Sequence, residues 1–108
     1  MMIDYEFVYR CREIKEDQSK KIIIYVKGAI IYTIENMFKP QEKGDKNLLN
    51  IILNNMDFEV FKNGDINVYF GSVYQLDWLK TRCSFFENNI KMTLNRLGET
   101  IRFIFNNY

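Results

Sequence analysis

Residues 22–38, IIIYVKGAIIYTIENMF, decide the fold. The first seven, IIIYVKG, are a continuous apolar run rich in β-branched side chains, which is the signature of a central strand. The remaining ten fit two templates. Ile30, Tyr32 and Ile34 alternate as in a strand, while Ile30, Ile31, Ile34, Met37 and Phe38 recur at helical spacing. β-Branching tips residues 29–38 towards a strand, bent by a bulge at Gly28.

The flanks extend this reading. Upstream, Ile3, Tyr5, Phe7, Tyr9 and Cys11 alternate with Asp4, Glu6, Val8 and Arg10, the period of a half-buried strand. The polar run EIKEDQSKK reads as a loop, so residues 3–11 and 22–28 are expected to pair as an antiparallel hairpin. Downstream, Pro40 and the charged segment FKPQEKGDK form the main loop. Asp45 then caps a helix over residues 46–56, with Leu49, Ile52, Leu53 and Met56 on one face.

Residues 57–70, DFEVFKNGDINVYF, read as a hairpin. A three-residue loop of Lys62, Asn63 and Gly64 places glycine at the left-handed bulge position. It pairs Val60 with Ile66, Phe58 with Val68 and Met56 with Phe70. A two-residue loop would mix the faces. Ser72 and Gln75 fit a capping box for a helix over residues 73–97, with Gly98 as its stop. TIRFIF reads as a last strand, with Ile101, Phe103 and Phe105 on one face. The expected fold class is α+β: a mainly antiparallel sheet of four to six strands, one long helix over 73–97 and a shorter helix over 46–56, in a single domain over residues 1–108.

The long helix has two apolar sides. Leu76, Leu79, Cys83, Phe86, Ile90, Leu94 and Leu97 form a core stripe with spacings of three or four. Tyr74, Trp78, Phe85 and Met92 fall on a second stripe, about 120° away by the 3.6-residue period. A polar seam of Gln75, Arg82, Asn89 and Arg96 runs between them. The second stripe is either further core, covered by the 46–56 helix or the 36–46 loop, or a contact surface. Aromatic side chains, Met and Arg are the types that interfaces favour. The candidate partner-binding residues are therefore Tyr74, Trp78, Arg82, Phe85, Asn89, Met92 and Arg96.

Composition narrows the chemistry. There is no histidine, which removes the commonest general base and metal ligand. Cys11 and Cys83 are 72 positions apart and do not make a zinc motif. Cys83 lies on the core stripe, as a buried and inert thiol would. Cys11, beside Arg10 and Arg12, reads as structural. The five scattered glycines make no phosphate-binding loop. Asp4, Glu6 and Glu59 are read as carboxylates on the solvated side of strands. No catalytic residue, cofactor or metal is expected. The net charge of +1 has no basic excess in either half, which weighs against duplex nucleic acid. A sheet face of Tyr25, Tyr69, Lys27 and Arg10 is the one arrangement that would serve single strands. The chain has no signal-like start and no apolar run of membrane length, so a cytoplasmic protein with reduced thiols is expected.

Abundant Ile, Asn, Lys, Tyr and Phe point to an AT-rich gene. Together these features give the expectation of a small non-enzymatic protein that binds and sterically blocks a macromolecular partner. That partner would be a toxin or a defence enzyme, bound in the manner of immunity proteins or phage-encoded inhibitors. The alternatives are a nucleic-acid-binding domain and a histidine-free enzyme. A homodimer through the second stripe is compatible with each.

Overall fold

The computed structural model describes residues 5–106, and the side chains of residues 20–106. The chain runs α1 (Tyr5–Met37), α2 (Asp45–Asn54), β1 (Asp57–Val60), β2 (Ile66–Tyr69), α3 (Val73–Arg82) and α4 (Phe86–Asn106). The described residues make a mainly helical fold with one two-stranded antiparallel sheet, which overturns the expected four to six strands. Residues 22–38 do not form strands: all but Phe38 lie in α1.

The physical reason lies in a period of four. Ile22, Val26, Ile30 and Ile34 form one ridge along α1 and are all buried. A ridge of that period packs into the grooves of a neighbouring helix. The neighbour is α4, which runs antiparallel to α1. Asn89 Nδ2 donates to Met37 Sδ at 3.1 Å, and the Thr33 and Thr93 hydroxyls lie 3.3 Å apart. At the other end, Ile22 and Tyr25 share a groove with Ile101 and Ile104. Burial along this seam outweighs the small helix penalty of β-branching, which is a fraction of a kcal/mol (up to about 0.7) per residue. The TIRFIF segment is likewise helical, within α4, with Ile101 in the core. The expected 3–11 strand is also corrected, since Tyr5 to Cys11 belong to α1; Ile3 and Asp4 lie outside the described residues.

The middle of the chain follows the expectation more closely. β1 and β2 pair Val60 with Ile66 and Phe58 with Val68, as the three-residue loop requires. Gly64 takes φ +93°, and Phe61 and Asp65 close the loop by a 2.9 Å backbone bond. Phe58, Val60, Ile66 and Val68 pack against the core, and Phe70 lies over Phe86 at 6.2 Å. Met56 and Phe70 lie beyond the paired residues.

The long 73–97 helix is two helices. Cys83 is extended and pairs with Phe38 as an antiparallel bridge; Phe85 takes φ +56°. The core stripe survives this break, because Leu79, Cys83, Phe86 and Leu97 are buried and Leu76, Ile90 and Leu94 pack against them. The link after α1 stabilises the break. Lys39 N donates to Arg82 O at 2.9 Å and Gln41 Nε2 to Thr81 O at 2.8 Å. Two carbonyls at the end of α3 that would otherwise lack donor partners are thereby satisfied.

Gly98 does not stop a helix; α4 passes through it. A Cβ at Gly98 would lie 2.7 Å from the Gly64 carbonyl oxygen, and a Cβ at Gly64 would lie 2.6 Å from the Gly98 carbonyl oxygen. The hairpin tip therefore rests on α4 backbone to backbone. This contact decides the sign of a substitution. Gly98→Ala gains about 1 kcal/mol of helix propensity, yet it must push two backbones apart, and overpacking costs about 1–3 kcal/mol. Urea unfolding should show Gly98→Ala and Gly64→Ala both destabilised, the second also carrying roughly 1–2 kcal/mol for the left-handed backbone. Phe85→Gly should behave oppositely. Phe85 is 78% exposed and holds a positive φ, so the substitution should stabilise by about 1 kcal/mol; a clear loss would show that its ring supports the fold.

Candidate functional site

Polar groups from α3 and from the link between α1 and α2 converge on one buried carboxylate of α2. Asp45, the first residue of α2, is only 2% exposed. Its Oδ2 accepts from Gln41 N at 2.8 Å, Glu42 N at 2.9 Å and Arg82 Nε at 2.8 Å. Asp45 therefore does not cap α2 itself, whose N-cap is Gly44; it fastens the preceding turn to the end of α3. The Arg82 guanidinium lies 4.2 Å from the centre of the Trp78 ring. Phe38 stacks on Trp78 with centroids 5.7 Å apart. Aromatic and cationic contacts both favour such a held indole.

The Arg82 hydrogen bond, helped by the Gln41 and Glu42 amides and by the charge of Arg82, holds the Asp45 carboxyl below its usual value against the opposing effect of burial. Cys83 shows the reverse. Burial pushes its thiol up to about 11, so it stays protonated and unreactive. Cys11 lies among residues whose side chains are not described.

Beside Trp78 lies an open apolar groove of about 180 Å³. Leu48, Ile51 and Ile52 line it from α2, and Tyr74, Gln75 and Trp78 from α3. Ser72 caps α3 as expected, accepting from Gln75 N at 3.1 Å. Gln75 Oε1 is enclosed beside Gly71 and accepts no hydrogen bond among the described residues. Leu48, Ile51 and Tyr74 stand exposed round the groove, Tyr74 at 86%.

The expected partner-binding residues are thus divided. Tyr74 and Trp78 share the groove, and Arg82 supports Trp78 from behind. The break at Cys83 separates them from Phe85, which is exposed beyond it, and from α4. On α4, Asn89 sits in the α1 seam, while Met92 and Arg96 are exposed. No single stripe carries all seven. Leu48 and Ile51 complete the groove. Their signal was present in LLNIIL, where these two fall outside the face formed by Leu49, Ile52 and Leu53.

The nucleic-acid surface is not assembled either. Tyr69 lies on β2 and donates its hydroxyl to Glu59 at 3.0 Å, whereas Tyr25 and Lys27 lie on opposed sides of α1; the Arg10 side chain is outside those described. Among the described residues no group of three or more His, Cys, Asp or Glu is placed to hold a metal ion, and no helix is long and apolar enough to cross a membrane. No family model, curated protein or solved structure matches this chain.

The Asp45–Arg82 contact has a defined pH signature. The folded carboxyl titrates below its ordinary value of 3.8. Its stabilisation is therefore present above that pH and is lost as pH falls through the folded value. Asp45→Asn should be less stable than the parent chain at neutral pH, and the gap should close at acid pH. Urea midpoints followed from about pH 7 to about pH 2 would show this. A gap independent of pH would assign the effect to shape instead of charge.

Proposed function

We propose that this chain is a protein-binding module that acts by covering a functional face of a macromolecular partner, such as a toxin or a defence enzyme. The observation that supports this is the α2–α3 groove, with Leu48, Ile51 and Tyr74 exposed together over a fixed indole. Small-molecule sites run to about 300–1,000 Å³ and enclose most of their ligand. A groove of about 180 Å³, open to solvent, suits instead one large side chain of a protein partner. Trp78, held between Phe38 and Arg82, forms a rigid floor that loses little entropy on binding. Tyr74, Leu48 and Ile51 supply contact area round the anchor, as interface cores do. Lys46 and Asp77 on the same helices are exposed and would set register at the rim.

The test uses exposed positions, because Trp78 also carries the fold. Tyr74→Ala and Ile51→Asp should leave the thermal midpoint within a few degrees of the parent. A truncated hot-spot side chain costs about 2 kcal/mol or more, so each variant should weaken the protein partner captured by the tagged parent chain by about 30-fold. Titration calorimetry with the purified partner would measure it. The Met92→Ala control, on α4, should bind as the parent does. Equal binding by all three variants would remove the groove from the function.

A further inference from the structure

A second exposed surface lies on α1, on the side turned away from the core. By the helical period, Gly28 is opposite the buried Val26 and Ile30. Around it stand Ile24 and Tyr25 one turn before, and Tyr32 and the half-buried Ile31 one turn after; Tyr25 and Ile31 form its flanks, towards the α4 groove and the core. Ile24 and Tyr32 are each 70% exposed and Tyr25 is also exposed. Gly28 itself is exposed, and a Cβ built there would meet nothing within 4 Å. Packing within one chain therefore does not require glycine at this position, although glycine weakens a helix interior. Two turns out, the strip ends in opposite charges, Lys21 before and Glu35 after, both exposed.

The strip is symmetric about residue 28 in shape and antisymmetric in charge. We propose that two copies of this chain pair through this face of α1, antiparallel, with the two-fold axis at Gly28. In that arrangement Gly28 meets Gly28, Ile24 meets Tyr32 and Tyr25 meets Ile31 of the other copy. Lys21 and Glu35 pair at both ends. A two-fold interface requires that residue i meet j while j meets i, and this strip satisfies it at every position named. The absence of a side chain at the axis lets the helices approach closely. A parallel pairing would set Lys21 against Lys21 and Glu35 against Glu35, so the charges select the antiparallel register. The strip is about 21 Å long by the helix rise. Its small area places the complex at the weak end of specific interfaces. It lies on other elements than the α2–α3 groove, so each can be tested without the other.

Sedimentation equilibrium of the full chain over a range of concentrations is the test. The parent should approach twice its 13.1 kDa mass at high concentration, less readily as salt rises. Lys21→Glu alone and Glu35→Lys alone each place like charges together, and each should weaken the dimer at least tenfold. The double exchange Lys21→Glu/Glu35→Lys should restore it. Gly28→Leu should be monomeric with unchanged helical circular dichroism. A parent that stays monomeric at all concentrations overturns the proposal. So does a dimer that survives both single charge reversals, or one that the double exchange fails to restore.

Discussion

One carboxylate oxygen organises the centre of this molecule. Asp45 Oδ2 accepts from two backbone amides of the link after α1 and from a guanidinium at the end of α3. A buried charge is tolerable only when so satisfied. The same guanidinium covers Trp78, so the ion pair also sets the floor of the α2–α3 groove. Position, burial and charge state of these groups are therefore one problem. The link cannot leave Asp45 without unpairing Arg82, and Arg82 cannot leave without uncovering the indole.

The sequence showed local structure where local chemistry dominates. The β1–β2 hairpin follows from side-chain alternation and from the one residue type that accepts a left-handed backbone, and its register was readable. The Ser72 cap was readable for a similar reason. α1 was not. IIIYVKG carries strand-forming residues throughout, and only the four-residue spacing of Ile22, Val26, Ile30 and Ile34 marks the helix. That spacing gains force only when α4 lies across it, which is tertiary information. The break at Cys83 was hidden for a related reason. No Gly or Pro marks it, and it exists because the Phe38–Gln41 link supplies hydrogen-bond partners from 40 or more residues away.

The candidate site was half visible. Tyr74, Trp78 and Arg82 were legible as a group because they lie on one short helix. Phe85, Asn89, Met92 and Arg96 were joined to them by a helix that does not continue. Leu48 and Ile51 lay in plain view, but a helix with apolar side chains on two faces says nothing about which face stays open. Among the described residues, two of the apolar exposures lie on separate elements, one a groove between two short helices and one a strip along a long helix.

The contacts between the link and α3 have a consequence for how the molecule opens. Phe38 with Cys83, Lys39 with Arg82 and Asp45 with Arg82 close the chain from residue 38 to residue 83 on itself. α2, the hairpin and α3 all lie inside this closed segment, while α1 and α4 are its two ends folded together. The hairpin and Phe70 also rest on α4, so the closed segment and its paired ends share one core and do not open independently. The amide of Lys39 would exchange with solvent only when the fastening at Arg82 lets go.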